Sequence, residues 1–207
     1  MQRRPLVSAL AILAFAPAAF AIPDADGSLT STPAPDISQD AAMTARINYN
    51  IGYEGVQKMA QLELEGASMK GAKASQNHEA LMAGFAKARE NFRTAVGADP
   101  NMKEGWNLLG YTSRRLGDYE ESLKAYEKAL ALAPDYPEAI EYRAELFLLT
   151  GRLDQTKEAY ATLLKSNPSY AGVLKTSMQD FLKRKQSFPA SVSAADSAAF
   201  ARWVKSL

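Results

Sequence analysis

The sequence predicts an all-α protein built as a stack of helix–turn–helix units. Three observations predict it. Equivalent residues recur at a spacing of 34: Pro100, Pro134 and Pro168; Phe92, Tyr126 and Tyr160; Ala88, Ser122 and Thr156; Val96, Leu130 and Leu164. Phe85, Tyr119 and Leu153 keep the same register, as do Gly117 and Gly151. Within one period, Tyr119, Leu123, Tyr126, Ala129 and Leu130 fall three and four apart, as on one face of a helix. Each period is also punctuated. Gly117 stands where a left-handed residue ends a helix, Asp118 is a good N-cap and Pro134 blocks continuation.

The units follow in order. Residues 103–136 make the most regular one, with Trp106, Leu109 and Gly110 on the packing face of its first helix. Residues 137–170 make the next. The first unit, 45–102, is stretched: Asn48, Ile51, Gly52 and Tyr53 repeat the pattern of Trp106, Leu109, Gly110 and Tyr111, but Phe85 follows far too late for a tight turn. Part of the inserted chain lengthens the first helix through Val56, Met59, Leu62 and Leu64. The small, polar remainder, residues 66–77 (GASMKGAKASQN), is expected to be a loop. Residues 171–207 are expected to form two capping helices, because the last unit of a stack has no neighbour to cover its apolar face. Trp203 is expected to pack on Phe181 or Leu182.

The N-terminus carries a different signal. Residues 1–5 include Arg3 and Arg4 without an acid, residues 6–20 are an apolar run, and Ala19-Phe20-Ala21 places small residues where a signal peptidase reads them. Residues 1–21 are therefore expected to be a secretory signal peptide, cut after Ala21, and the protein to be periplasmic or secreted. The run is too short, and too close to Pro17 and Pro23, for stable membrane insertion. Residues 22–40, rich in Pro, Ser, Thr and Asp, bury too little apolar surface to offset the entropy of ordering and are expected to be a disordered leader.

The residues at Trp106, Leu109-Gly110, Gly117, Tyr119, Tyr126, Ala129-Leu130 and Pro134 resemble a tetratricopeptide repeat, and Phe147, Gly151, Leu153, Tyr160, Leu163-Leu164 and Pro168 continue it. Phe85, Ala88, Phe92, Ala95-Val96 and Pro100 supply an earlier half-copy. Ser122 and Thr156 depart from the small alanine usual where the two helices cross, and are expected to loosen the packing. The resemblance implies a right-handed stack of about two and a half to three units, a concave groove lined by the first helix of each unit, and a protein or peptide ligand.

Composition and motifs exclude most chemistry. The chain has 207 residues, 24 Lys and Arg against 23 Asp and Glu, no cysteine and one histidine. A net charge of +1 is not that of a nucleic-acid binder. No disulfide or thiolate metal site can form, and His78 sits in the polar insertion with no nucleophile motif to serve. No metal motif, phosphate loop or dinucleotide fingerprint is present. The reading is a non-enzyme without metal or cofactor: a periplasmic adaptor in cell-envelope assembly. The alternative is a peptide-fragment or small-molecule binder using the groove.

Stepping along the implied concave face gives the candidate site. The first unit offers Arg46, Tyr49 and Tyr53; the second, Glu104, Asn107, Tyr111 and Arg114; the third, Glu138, Glu141 and Glu145. Lys175 and Gln179 follow on the first capping helix. Tyrosines are rigid contact residues with a polar tip. Asn50 and Asn107 alone do not make a carboxylate clamp: the lysines are missing, and Glu141 and Glu145 would repel a carboxylate. Arg114 is expected to pair with one of these glutamates, as a solvent-exposed pair worth at most about 1 kcal/mol.

Overall fold

The computed structural model describes residues 38–184 and 188–207. The expected signal peptide and nearly all of the leader lie outside the described residues. Among these, every regular element is a helix: α1 (Gln39–Gly66), α2 (Gly71–Ala98), α3 (Lys103–Leu116), α4 (Tyr119–Leu132), α5 (Pro137–Leu149), α6 (Leu153–Ser166), α7 (Pro168–Lys183) and α8 (Ala194–Ser206). No helix among the described residues is long and apolar enough to cross a membrane.

Consecutive helices pair as hairpins, α1 with α2, α3 with α4 and α5 with α6, and each hairpin stacks on the next. The punctuation works as the residues dictate. Gly117 and Gly151 adopt φ of 82° and 79°, the left-handed conformation that a side chain resists. The Asp118 carboxylate accepts a hydrogen bond from the Glu121 amide and caps α4. Phe92 and Tyr126 are fully buried on α2 and α4, and Tyr160 is half-buried on α6.

The helix crossings explain the glycine and serine columns. A Cβ on Gly110 would lie 2.6 Å from the Tyr126 ring, and one on Gly52 would lie 2.9 Å from the Phe92 ring. In the third unit the equivalent residue is Ala144, fully buried. Here Tyr160 is displaced outward and meets the Trp203 ring edge-on at 5.7 Å. Ser122 and Thr156 tie the crossings rather than loosening them. The Ser122 hydroxyl donates to the Gly110 carbonyl at 2.8 Å, and that of Thr156 to the Ala144 carbonyl at 3.4 Å.

The inserted segment departs most from expectation. Residues 66–77 are not a loop. Only residues 67–70 turn, and α1 and α2 each run 28 residues, twice the length of α3 or α4. Lys, Ala and Gln are good helix formers, and the two helices of the hairpin support each other. The Asn77 side chain donates to the Leu62 carbonyl at 3.3 Å near the tip. His78 is exposed on α2.

The core has two parts. One joins α1–α4 to Tyr142 and Leu146 of α5; the other joins α4–α8; Trp106 packs against both. The α7 helix buries Ala171, Leu174, Met178 and Phe181. In α8, Phe200 and Val204 are buried, and the Trp203 ring lies against Tyr160 and Phe200, packed on the core cluster that includes Phe181.

Candidate functional site

The first helices of the units, α1, α3 and α5, carry the candidate residues, joined by α7. Their positions match rung by rung: Tyr49, Asn107, Glu141 and Lys175 on one level, Tyr53, Tyr111, Glu145 and Gln179 on the next. The open groove expected along these rungs is not what forms. Asn107, Tyr111, Arg114, Glu141 and Glu145 are all buried. Arg46 is exposed on α1, and Tyr49 and Tyr53 are half-buried.

Toward the C-terminal ends of α3 and α5 the layer is sealed and internally paired. Arg114 Nη2 lies 2.6 Å from Glu145 Oε2, both side chains almost wholly out of water. The Arg114 guanidinium also donates from Nε to the Tyr126 hydroxyl at 3.4 Å and sits 5.6 and 5.7 Å from the Tyr111 and Tyr142 ring centroids. Those two rings are 5.3 Å apart. Arg115, its neighbour in sequence, points the other way. It pairs with Glu63 of α1, Nη1 donating to Oε2 at 3.1 Å, and donates to the Tyr111 hydroxyl at 3.0 Å. Phe85 of α2 packs 4.4 Å from its guanidinium carbon. Burial alone would push the pKa of Arg114 down, but the Glu145 charge and the Tyr126 hydroxyl raise it above its ordinary value. Two adjacent arginines thus bind α3 to α5 and to α1. The expected Arg114–glutamate pair exists, but as a buried tie between units and not a surface contact.

Glu141 lies beside this pair, one turn before Glu145 and fully buried. Burial, and next the Glu145 charge, hold its carboxyl well above the usual carboxylate range. Neither of its carboxyl oxygens completes a well-aligned hydrogen bond among the described residues.

Toward the N-terminal ends the same layer opens. Tyr49 of α1 meets Phe92 edge-on at 6.0 Å and stacks on Tyr53 at 6.1 Å. Glu104 opens α3 and Glu138 opens α5, each half-buried in a first turn. The Tyr170 hydroxyl of α7 donates to Glu138 Oε1 at 2.7 Å. Lys103 Nζ stands 5.1 Å from the Tyr136 ring centroid and 3.8 Å from Glu104 Oε1. The pKa values of Tyr49 and Tyr136 are raised, first by burial and then by carboxylates, foremost Glu104 for Tyr49 and Glu138 for Tyr136. Beneath them lies Asn107, with no exposed surface. Its amide is close enough to the Tyr136 hydroxyl to oppose that rise, yet neither amide atom completes a well-aligned hydrogen bond among the described residues. An amide can make about four such bonds, so most of its capacity is unmet.

Tyr136, Tyr142, Tyr170 and Arg115 were not among the residues the sequence singled out. Two of them had a signal: Tyr136 and Tyr170 stand two places after Pro134 and Pro168, a further column of the repeat. Shallow depressions lie elsewhere, one of about 540 Å³ along α1 at Met43, Arg46 and Ile47, another of about 250 Å³ between Gly151 and Val192.

Residues 103–136, which form α3, α4 and the turn before α5, match the tetratricopeptide repeat family. The chain is 37% identical over 82 residues to the peroxisomal targeting signal receptor of Kluyveromyces lactis, covering 40% of this chain and 14% of that protein. It is 32% identical over 90 residues to DnaJ homolog subfamily C member 3 of Mus musculus, covering 41% of this chain and 17% of that protein. The chain thus spans less than a fifth of the length of either relative. The crystal structure of MamA protein is similar at 18% identity and a TM-score of 0.38, over 70% of this chain and 98% of that one.

Proposed function

We propose that this chain is a non-catalytic interaction scaffold that receives a segment of a partner protein at the open half of its concave layer. The observation that carries the reading is the contrast within that layer. One half pairs its own charges, whereas the other gathers tyrosines and carboxylates over an amide that completes no well-aligned hydrogen bond among the described residues. A buried polar group without partners costs about 1–3 kcal/mol, and a stack that retains one at its surface layer gains by binding. The stretch similar to a targeting signal receptor supports a polypeptide ligand. The sequence pattern of residues 1–21 supports export, and with it work as an adaptor of the periplasm or cell envelope.

Site-specific photocrosslinking tests the surface. A photoreactive residue at Tyr49 or Tyr170 is expected to capture a polypeptide, and one at the exposed Leu132 or Leu164 is not. Adducts at Leu132 or Leu164 alone would place binding on the other face. N-terminal sequencing of protein recovered from the periplasm tests export. The expected first residue is Ile22, and an intact Met1 in the soluble cytosol would contradict it.

A further inference from the structure

We infer that the open half of the concave layer is a seat for an ammonium group, that of a lysine in an extended segment of the partner. The inference rests on the concave-surface reading above and deepens it by naming what the surface recognises.

Three features converge. The first is charge. Glu104 and Glu138 open successive helices at equivalent positions, side by side at the mouth. A carboxylate in a first turn is also favoured by the helix dipole, which accounts for an acid at each place. The dipole does not account for the second feature, the tyrosines brought over these acids from three other positions. Tyr49 comes from α1, Tyr136 from the turn before α5, and Tyr170 from α7. An aromatic face within about 6 Å attracts a cation, and attracts it more when water is excluded.

The third feature is the buried floor. Asn107 has no exposed surface and unmet hydrogen-bonding capacity on both amide atoms. Its amide lies close to the Tyr136 hydroxyl at the base of the mouth, a buried polar group with hydrogen-bonding capacity left over for a guest.

The molecule already shows the preferred guest. Lys103 holds its ammonium 5.1 Å from the Tyr136 ring and 3.8 Å from Glu104, with its side chain about two-fifths exposed. A resident lysine that is loosely held marks where a partner's lysine binds better. It also makes a prediction of opposite sign from the carboxylates: removing it should strengthen binding.

The test uses the full chain, labelled for NMR, and three capped Gly/Ser peptides. One has a central lysine, one has Nε-acetyl-lysine and one has glutamate. The lysine peptide is expected to shift the side-chain amide signals of Asn107 and the ring signals of Tyr49 and Tyr170. Acetylation of the lysine should weaken binding about tenfold or more. The double variant Glu104→Gln/Glu138→Gln should weaken it by a similar factor, and Lys103→Met should tighten it several-fold. Glu120→Gln, on the exposed face of α4, is the charge control and should change nothing. Melting curves confirm that each variant folds. Equal binding of the acetylated peptide, or binding of the glutamate peptide at the same residues, would overturn the ammonium seat while leaving a concave interaction surface. Lysine-peptide shifts confined to residues around Leu132 and Leu164 would overturn both.

Discussion

The two halves of the concave layer come from the same stripe of the same helices, yet one is core and the other is mouth. At the C-terminal ends of α3 and α5, Arg114, Tyr111, Tyr142 and Glu145 fill the space between units, with Arg114 and Glu145 paired by charge. At the N-terminal ends, Glu104, Tyr136 and Glu138 lie around an amide that completes no well-aligned hydrogen bond among the described residues. The difference lies in what stands opposite. The lengthened α1 reaches far enough to bring Glu63 against Arg115, and α2 and α4 bring Phe85 and Tyr126 over the arginines. A position on a helix face fixes the direction of a side chain. The neighbours decide whether that direction ends in protein or in water.

Breaking the sealed half should cost most. Arg114→Met leaves the Glu145 charge buried without its partner, and is expected to destabilise by about 3–5 kcal/mol. Tyr111→Ala empties a fully buried ring site and should cost a similar amount, about 3–5 kcal/mol. Urea unfolding at neutral pH reads both. A loss under about 1 kcal/mol for either would mean that the half is not sealed.

The crossings offer a smaller contrast. Gly110→Ala places a methyl 2.6 Å from the Tyr126 ring, and overpacking should cost about 1–3 kcal/mol. The third unit already carries alanine at the equivalent position, with Tyr160 moved outward. There, Ala144→Gly should cost only about 1 kcal/mol, the price of a glycine inside a helix. Equal losses in the two units would show that Tyr160 packs as Tyr126 does.

Glu141, at the border between the halves, makes stability depend on pH. Its raised pKa means that the folded state holds the proton more tightly than the unfolded chain does. The resulting stability is fully present below the ordinary carboxylate pKa. It falls by about 1.4 kcal/mol per pH unit as pH rises from there toward the folded value. Glu141→Gln, neutral at every pH, should remove this slope. Unfolding free energies of the two proteins between about pH 4 and pH 8 would show the difference, and parallel profiles would mean that Glu141 is ionised in the fold. In the open half, Tyr170→Phe removes one half-exposed hydrogen bond and should cost no more than about 1 kcal/mol.

The stack itself was legible because its period is written in bulky and small residues whose burial is obligatory. Phe92, Tyr126 and Gly110 could not serve elsewhere. The 66–77 segment was misleading because its small, polar residues suit a loop or an exposed helix equally well, and only pairing between α1 and α2 selects the helix. The site was legible in direction and not in depth. Asn107, Arg114, Glu141 and Glu145 read as a solvated stripe, since charged and amide residues are seldom fully buried. What buries them is a set of contacts between units. The Glu63–Arg115 pair joins residues 52 apart in sequence, beyond the reach of any local pattern.

The division of the layer is tested most directly by two double-mutant cycles, measured by urea unfolding under one set of conditions. One cycle combines Arg114→Met with Glu145→Leu, the other Tyr170→Phe with Glu138→Gln. The sealed pair should show a coupling above about 2 kcal/mol and the pair at the mouth less than about 1 kcal/mol. Couplings below about 0.5 kcal/mol for Arg114 and Glu145 would contradict a sealed, charge-paired half, and with it the distinction between a structural and a receptive part of the same face.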